Sequence, residues 1–176
     1  MSILKNDMNQ AIEAAQTKNY FLEAQDLVQL ASFTVDQDFY VIDIMRIKQI
    51  IEPTDITVVR NTPDYLKGVI ELRNTIIPII DLRERLGLKY KEQDRYTKYL
   101  IVIVHSKVLG IIVDSVNEII TIPKEYIKPA PRILLHNTNR FYLGMCNFGG
   151  KMRILLNLKK IVSDSDFSRL NIEGMV

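Results

Sequence analysis

The amino-acid sequence predicts an all-β protein made of two small, similar β-barrels, and three observations carry that prediction. After residue 26 the chain is a succession of short β-branched and aromatic runs, each bounded by polar turn residues. The runs recur in order at a nearly constant separation, so the second half repeats the first. A handful of short strands leaves exposed edges unless it curls on itself, which favours a small closed sheet for each half.

Residues 3–24, ILKNDMNQAIEAAQTKNYFLEA, are rich in Ala, Glu, Gln and Lys and contain no Pro or Gly, so they read as helix. Met8, Ile12 and Ala15 follow helical spacing, but this apolar stripe is thin. A weakly docked helical or flexible extension is expected over residues 1–24. The first barrel is assigned to residues 25–96, with strands LVQLASFTV, FYVIDI, IKQII, ITVVR, GVIEL and TIIPIIDL. A short helix, LRERLG, follows Asp81, a residue type that caps helix N-termini. The polar segment KYKEQDRYTK then leads to the second barrel, residues 97–165, with strands YLIVIVH, VLGIIVD, NEIITI, FYLGMCNF and KMRILLNL. Asn157 opens a second short helix, LKKIV, and residues 166–176 are left as a tail.

The repeat is exact in length over its clearest part. GVIELRNTIIPIIDLRERL (68–86) lies over GMCNFGGKMRILLNLKKIV (144–162) without a gap, at an offset of 76 residues. A looser pair, FYVIDIMRIKQII (39–51) and VLGIIVDSVNEII (108–120), falls at an offset of 69. In the first alignment Arg73 and Asn74 meet Gly149 and Gly150, and Gly-Gly between apolar runs signals a tight hairpin. Asn74 suits such a turn because asparagine tolerates positive φ. Arg73 is different, since the sister turn is built without it. It is either a solvated turn arginine or a guanidinium displayed on a rigid hairpin for a partner carboxylate or carbonyl. Pro78, inside a strand-like run, is read as a barrel corner.

Bulk composition narrows the function. Hydrophobic residues make up 47% and charged residues 25% of the 176 residues, as in ordinary globular proteins. Twenty-three basic and 21 acidic side chains are interspersed for a net charge of +2, which is no footprint for nucleic acid or anionic lipid. The apolar runs fall far short of the ~20 residues that cross a bilayer. One cysteine and no signal-like apolar start point to the cytoplasm. His105 and His136 have no companion at metal-ligand spacing, and Cys146 sits in an apolar run as a structural thiol would. No phosphate loop or nucleophile elbow is present. Asp43, Asp81 and Asp114 recur at strand ends, where turn and cap duties come first. No catalytic residue, cofactor or metal is therefore expected.

The segments IDIMRIKQII, TPDYLKGVIELR, TIIPIIDLRERLGL, GIIVDSVNEIITIP, IKPAP and ILLNLKKIV, from about Phe33 to Val162, resemble the CheW family of chemotaxis coupling proteins. The resemblance implies two five-stranded barrels of Src-homology-3-like type packed on a shared core. It also implies a noncatalytic adaptor that links the cytoplasmic tip of a methyl-accepting chemoreceptor to the regulatory domain of a CheA-type histidine kinase. Such a protein would be cytoplasmic and recruited to membrane-associated receptor arrays. Carried over by position, the receptor surface falls on Ile47 as an apolar contact, Gln49 as its polar neighbour, Arg73 as the displayed guanidinium, and Gly68 as the residue that permits close backbone approach. Kinase contacts fall near Ile101, Gly110 and Val116. Family members often carry an acidic residue where Gln49 stands and glycine where Asn74 stands. A coupling module of another motility or developmental pathway remains the alternative within the family, and a small nucleic-acid-binding barrel or a small-molecule-binding or hydrolytic barrel the alternatives outside it.

Overall fold

The computed structural model describes residues 2–23, 25–130 and 139–169. Helix α1 (Ser2–Glu23) precedes β1 (Leu27–Val35), β2 (Asp38–Asp43), a 3-10 turn at Ile44–Arg46, β3 (Ile47–Ile51), β4 (Leu66–Leu72) and β5 (Thr75–Asp81). Helix α2 (Leu82–Arg85) leads to β6 (Lys98–Val104), β7 (Lys107–Val113), β8 (Ser115–Pro123), β9 (Tyr142–Phe148) and β10 (Lys151–Leu156). Two short helices, α3 (Leu158–Ile161) and α4 (Asp164–Arg169), follow.

The strands form two five-stranded sheets, in the orders β3-β6-β7-β5-β4 and β8-β1-β2-β10-β9. The orders correspond strand for strand under the sequence repeat, with β3 matching β8, β7 matching β2, β5 matching β10 and β4 matching β9. Sheet membership, however, does not follow the chain. The hairpin β1-β2 joins the sheet built mainly from the second half, and β6-β7 joins the sheet built mainly from the first half. The boundary expected at residues 96/97 therefore separates the repeats but not the sheets. The physical cause is the turn after β2, where Asp43 accepts from the Met45 amide at 2.9 Å and carries the chain across to the other sheet.

No ladder joins β3 to β4 or β8 to β9 among the described residues. One edge of each sheet instead carries a single bridging residue, Thr57 on Val69 of β4 in the first sheet and Lys128 on Met145 of β9 in the second. The expected strand ITVVR is thus reduced to the single bridge at Thr57, whose amide and carbonyl bond Val69 at 2.8 and 2.9 Å.

Apolar alternation produces three cores. One small cluster, Ile51, Ile70, Ile77, Ile79, Tyr99, Ile101 and Ile112, fills the first sheet. Its counterpart in the second contains Leu30, Val41, Ile120, Ile122 and Cys146. The largest cluster lies between the sheets and draws in Ile12 and Ala15 of α1, Leu82 of α2, Leu158 and Ile161 of α3 and Phe167 of α4.

Three expectations change in detail. Pro78 is no corner: it is buried within β5, opposite Val69. Val69 spends its amide and carbonyl on Thr57, on the side away from β5. Pairing alternates along an antiparallel ladder, so the nitrogen of Pro78 points toward β7, and that ladder begins only at Ile79. The tail assigned to 166–176 begins inside α4, whose Asp166 and Phe167 are buried; its later residues lie outside those described. Helix α1 is docked by Ile12 (2% exposed) and Ala15, and by polar bonds considered below.

Candidate partner-binding site

The residues expected from sequence to face partners lie on strands of the first sheet, on the β4–β5 turn and on β8. Arg73 and Asn74 form the turn between β4 and β5, after the closing pair Leu72 and Thr75. Their φ angles are +50° and +62°, a turn with both central residues left-handed. Gly149 and Gly150, the repeat mates, adopt +58° and +73°, so the two turns are the same device. An arginine in this conformation carries a backbone cost that glycine avoids. Its side chain is exposed and makes no hydrogen bond or ion pair among the described residues. The hairpin therefore presents a free guanidinium on a rigid tip.

The other residues named from sequence divide by burial. Ile47 is 2% exposed in the shared core, and β3 pairs it with Val102 of β6. It cannot be a direct apolar contact in this conformation, because the core that it helps to fill covers it. Gln49, beyond the β3 bulge, is half-buried and reachable. Gly68 is buried at φ +139°, and a Cβ there would lie 2.1 Å from the Thr57 carbonyl oxygen. The close approach expected at Gly68 is thus made by the chain's own bridging residue. Gly144 repeats the arrangement, with a Cβ 2.7 Å from the Lys128 carbonyl oxygen.

The kinase set divides likewise. Ile101 is 2% exposed, and Gly110 is buried between β5 and β6, where a Cβ would meet Ile79 Cδ1 at 2.4 Å. Both hold the first small core together and offer nothing to a partner. Val116 of β8 is half-buried, packed against the shared core, and remains reachable.

Sequence reasoning missed an apolar face on the second sheet. Tyr126 and Met152, each more than half exposed, line a concavity of about 700 Å³ together with Met145, Lys128 and Pro129 beside the edge strand β9. The repeat offset could have found it, since Met152 is the mate of Ile76 in the Arg73 hairpin. Also missed was Arg153, 2% exposed at the position of Ile77. Its guanidinium donates to Glu118 Oε1 at 2.6 Å, to Ser32 Oγ at 3.3 Å and to the carbonyls of Phe148 and Lys151. It pins β10 to β1, β8 and its own hairpin.

A model of the CheW-like domain matches residues 29–166, more than three quarters of the chain. The chain belongs to the CheW-like family. Curated CheW-like relatives include the chemotaxis protein CheW of Klebsiella aerogenes, 32% identical over 136 residues, covering 77% of this chain and 82% of that one. The Helicobacter pylori protein of the same name is 32% identical over 138 residues, covering 78% and 83%. Among solved structures, the scaffolding protein TtCheW of Thermoanaerobacter tengcongensis superposes with a TM-score of 0.73 at 27% identity, covering 79% of this chain and 94% of that one. These likenesses make the chain a CheW-like chemotaxis coupling adaptor. The matched region starts at residue 29, so α1 lies outside the CheW-like domain. No helix among the described residues is long and apolar enough to cross a membrane.

Proposed function

We propose that this CheW-like protein joins the cytoplasmic tip of a chemoreceptor to the regulatory domain of a CheA-type histidine kinase without catalysing a reaction itself, in the cytoplasm and recruited to membrane-associated receptor arrays. The observation that supports the receptor side is Arg73: a free guanidinium on a strained turn that the sister repeat builds from glycine. A charge kept at a backbone cost is explained by a partner that takes forked hydrogen bonds from it. Gln49 is the reachable residue of β3 that would share this contact, with Ile47 and Gly68 supporting it from within.

The kinase would use the exposed edges, with Val116 on β8 and the apolar concavity around Met152 beside β9 in place of the buried Ile101 and Gly110. Exposed apolar surface of this kind marks interaction sites. Modest interfaces suffice for a scaffold, because linked contacts in an array raise effective concentration.

Titration with a soluble chemoreceptor cytoplasmic fragment and with a kinase regulatory domain tests both assignments. Arg73→Ala should weaken receptor binding about tenfold or more, in line with the loss of one charge-assisted contact, and leave kinase binding unchanged. Met152→Glu should do the reverse. Equal affinities for wild type and Arg73→Ala would remove Arg73 from the receptor site.

A further inference from the structure

The strand that contributes Gln49 to the receptor site already has an occupant. Strand β3 is an edge strand, and among the described residues no second strand pairs with its free side. Helix α1 covers it instead. Asn9 Nδ2 donates to the Ile50 carbonyl at 3.0 Å, and Asn9 Oδ1 accepts from the Ile50 amide at 2.9 Å. One side chain thereby makes the donor and acceptor pair that a neighbouring strand would make. Gln16, one heptad further on, donates from Nε2 to the carbonyls of Ile44 at 2.8 Å and Ile47 at 2.7 Å. Between them Ile12 and Ala15 enter the same buried cluster as Ile47 and Ile50.

The seat is thus shaped for an amphipathic helix with an apolar pair flanked by amide side chains seven residues apart. The seat belongs to the CheW-like domain, whereas the helix does not, since the family match begins at residue 29. Just before β1, Gln25 and Asp26 form a turn in which Asp26 has φ +56°. Apart from the partly buried Met8, its described apolar grip is limited to Ile12 and Ala15.

We propose that α1 is a built-in, displaceable cover of the β3 edge, and that a receptor helix carrying a similar apolar and amide pattern competes with it for this seat. The inference rests on the receptor reading above. In the covered state the backbone edge at Ile47 and Ile50 is closed to a partner helix while the Gln49 side chain stays reachable, so the apparent affinity is the intrinsic one reduced by the fraction of molecules in which α1 has lifted. The two amides act as a latch: weakening them raises that fraction without removing the apolar seat.

The test uses the full chain, a chemoreceptor cytoplasmic fragment, and the variants Asn9→Ala/Gln16→Ala and Arg73→Ala. The double variant should bind the fragment several-fold tighter, up to about tenfold as the open fraction rises. In wild type, hydrogen exchange should show the α1 amides losing protection when the fragment is added. Unchanged or weaker binding by the double variant, or α1 amides that stay protected in the complex, overturns displacement. If Arg73→Ala loses binding while the latch variant behaves as wild type, displacement alone fails. If neither wild type nor any variant binds, the receptor reading fails and takes this inference with it.

Discussion

At Arg73 the backbone and the side chain want different things. The turn needs two left-handed residues, which glycine supplies without cost and arginine does not. Arg73→Gly should therefore raise stability by about 0.5–1 kcal/mol, read as a higher urea midpoint, while receptor binding falls as in Arg73→Ala. A stability loss would show that the side chain serves the fold. Asp166 carries a second prediction at this scale. Burial pushes its carboxyl up, but bonds from the Ser163 amide (2.8 Å), the Tyr65 hydroxyl (2.7 Å) and the Ser163 hydroxyl (2.9 Å), with the Arg85 charge nearby, together hold it below the ordinary aspartate range. A depressed folded-state value adds stability above the unfolded value of about 4, and that stability is lost as pH falls through the folded one. Urea unfolding at pH 7 and pH 3 should show a larger acid loss for wild type than for Asp166→Asn. Equal losses would remove Asp166 from the acid response. Asp81 behaves oppositely: burial raises its value, opposed by the Glu84 and Arg83 amides that it caps.

Among the elements, the β9–β10 hairpin shows what divergence between the repeats has done. Ile77 fills the first small core at the position where the second sheet holds Arg153. A buried guanidinium is tolerated because four acceptors surround it, while Phe39 and Phe148 cover its faces at 5.6 and 5.3 Å. Its carboxylate partner Glu118 is half exposed, so the pair is asymmetric. Arg153→Ala strands buried acceptors and opens a cavity, and should cost about 3–5 kcal/mol. Glu118→Ala leaves the buried guanidinium its two carbonyls and the Ser32 hydroxyl but no counter-charge, and water reaches the half-exposed Glu118 position, so it should cost less, about 1–2 kcal/mol. Chemical denaturation of the two variants checks the ordering. Comparable costs would mean that the ion pair, and not the buried carbonyl network, holds the hairpin.

For the whole molecule, exchange of the first hairpin of each repeat locks the two sheets together. Arg83 of α2 is the polar fastening. It donates to Asp114 at 2.6 Å, beyond β7, to Asp36 at 2.8 Å, in the β1–β2 turn, and to the Lys89 carbonyl at 3.0 Å. Asp114 in turn accepts from the Asp36 amide at 2.8 Å. One side chain thus ties a turn of the second sheet to strands of the first. Arg83→Ala should cost about 1–2 kcal/mol, because the half-buried Asp114 loses its cation and keeps only the Asp36 amide, and lower the melting temperature by roughly 3–6 °C for a chain of this size. A single, still cooperative transition is expected, since the shared core also spans the sheets. Two separate transitions would show that the sheets are independent units.

Most strand positions, both short helices, the cap at Asp81, the hairpin at Arg73 and the repeat were legible in chain order, because each depends on local alternation, turn chemistry or self-similarity; ITVVR keeps only the bridge at Thr57, and Asn157 opens its helix without a side-chain cap. The family resemblance added which residues to watch, and of these the exposed Arg73 and the half-buried Gln49 and Val116 remain reachable by a partner. Periodicity alone could not show that Ile47, Ile101, Gly68 and Gly110 face inward. Burial depends on what packs over a strand, and for Gly68 and Gly110 the covering atoms come from Thr57 and Ile79, eleven and 31 residues away. Nor does alternation reveal which hairpin joins which sheet, since both exchanges bury the same apolar faces. The amides of α1 were invisible for a related reason: Asn9 and Gln16 look solvated until the unpaired edge of β3 is placed against them. Local pattern settled what the pieces are, and long-range pairing decided which surfaces they leave for a partner.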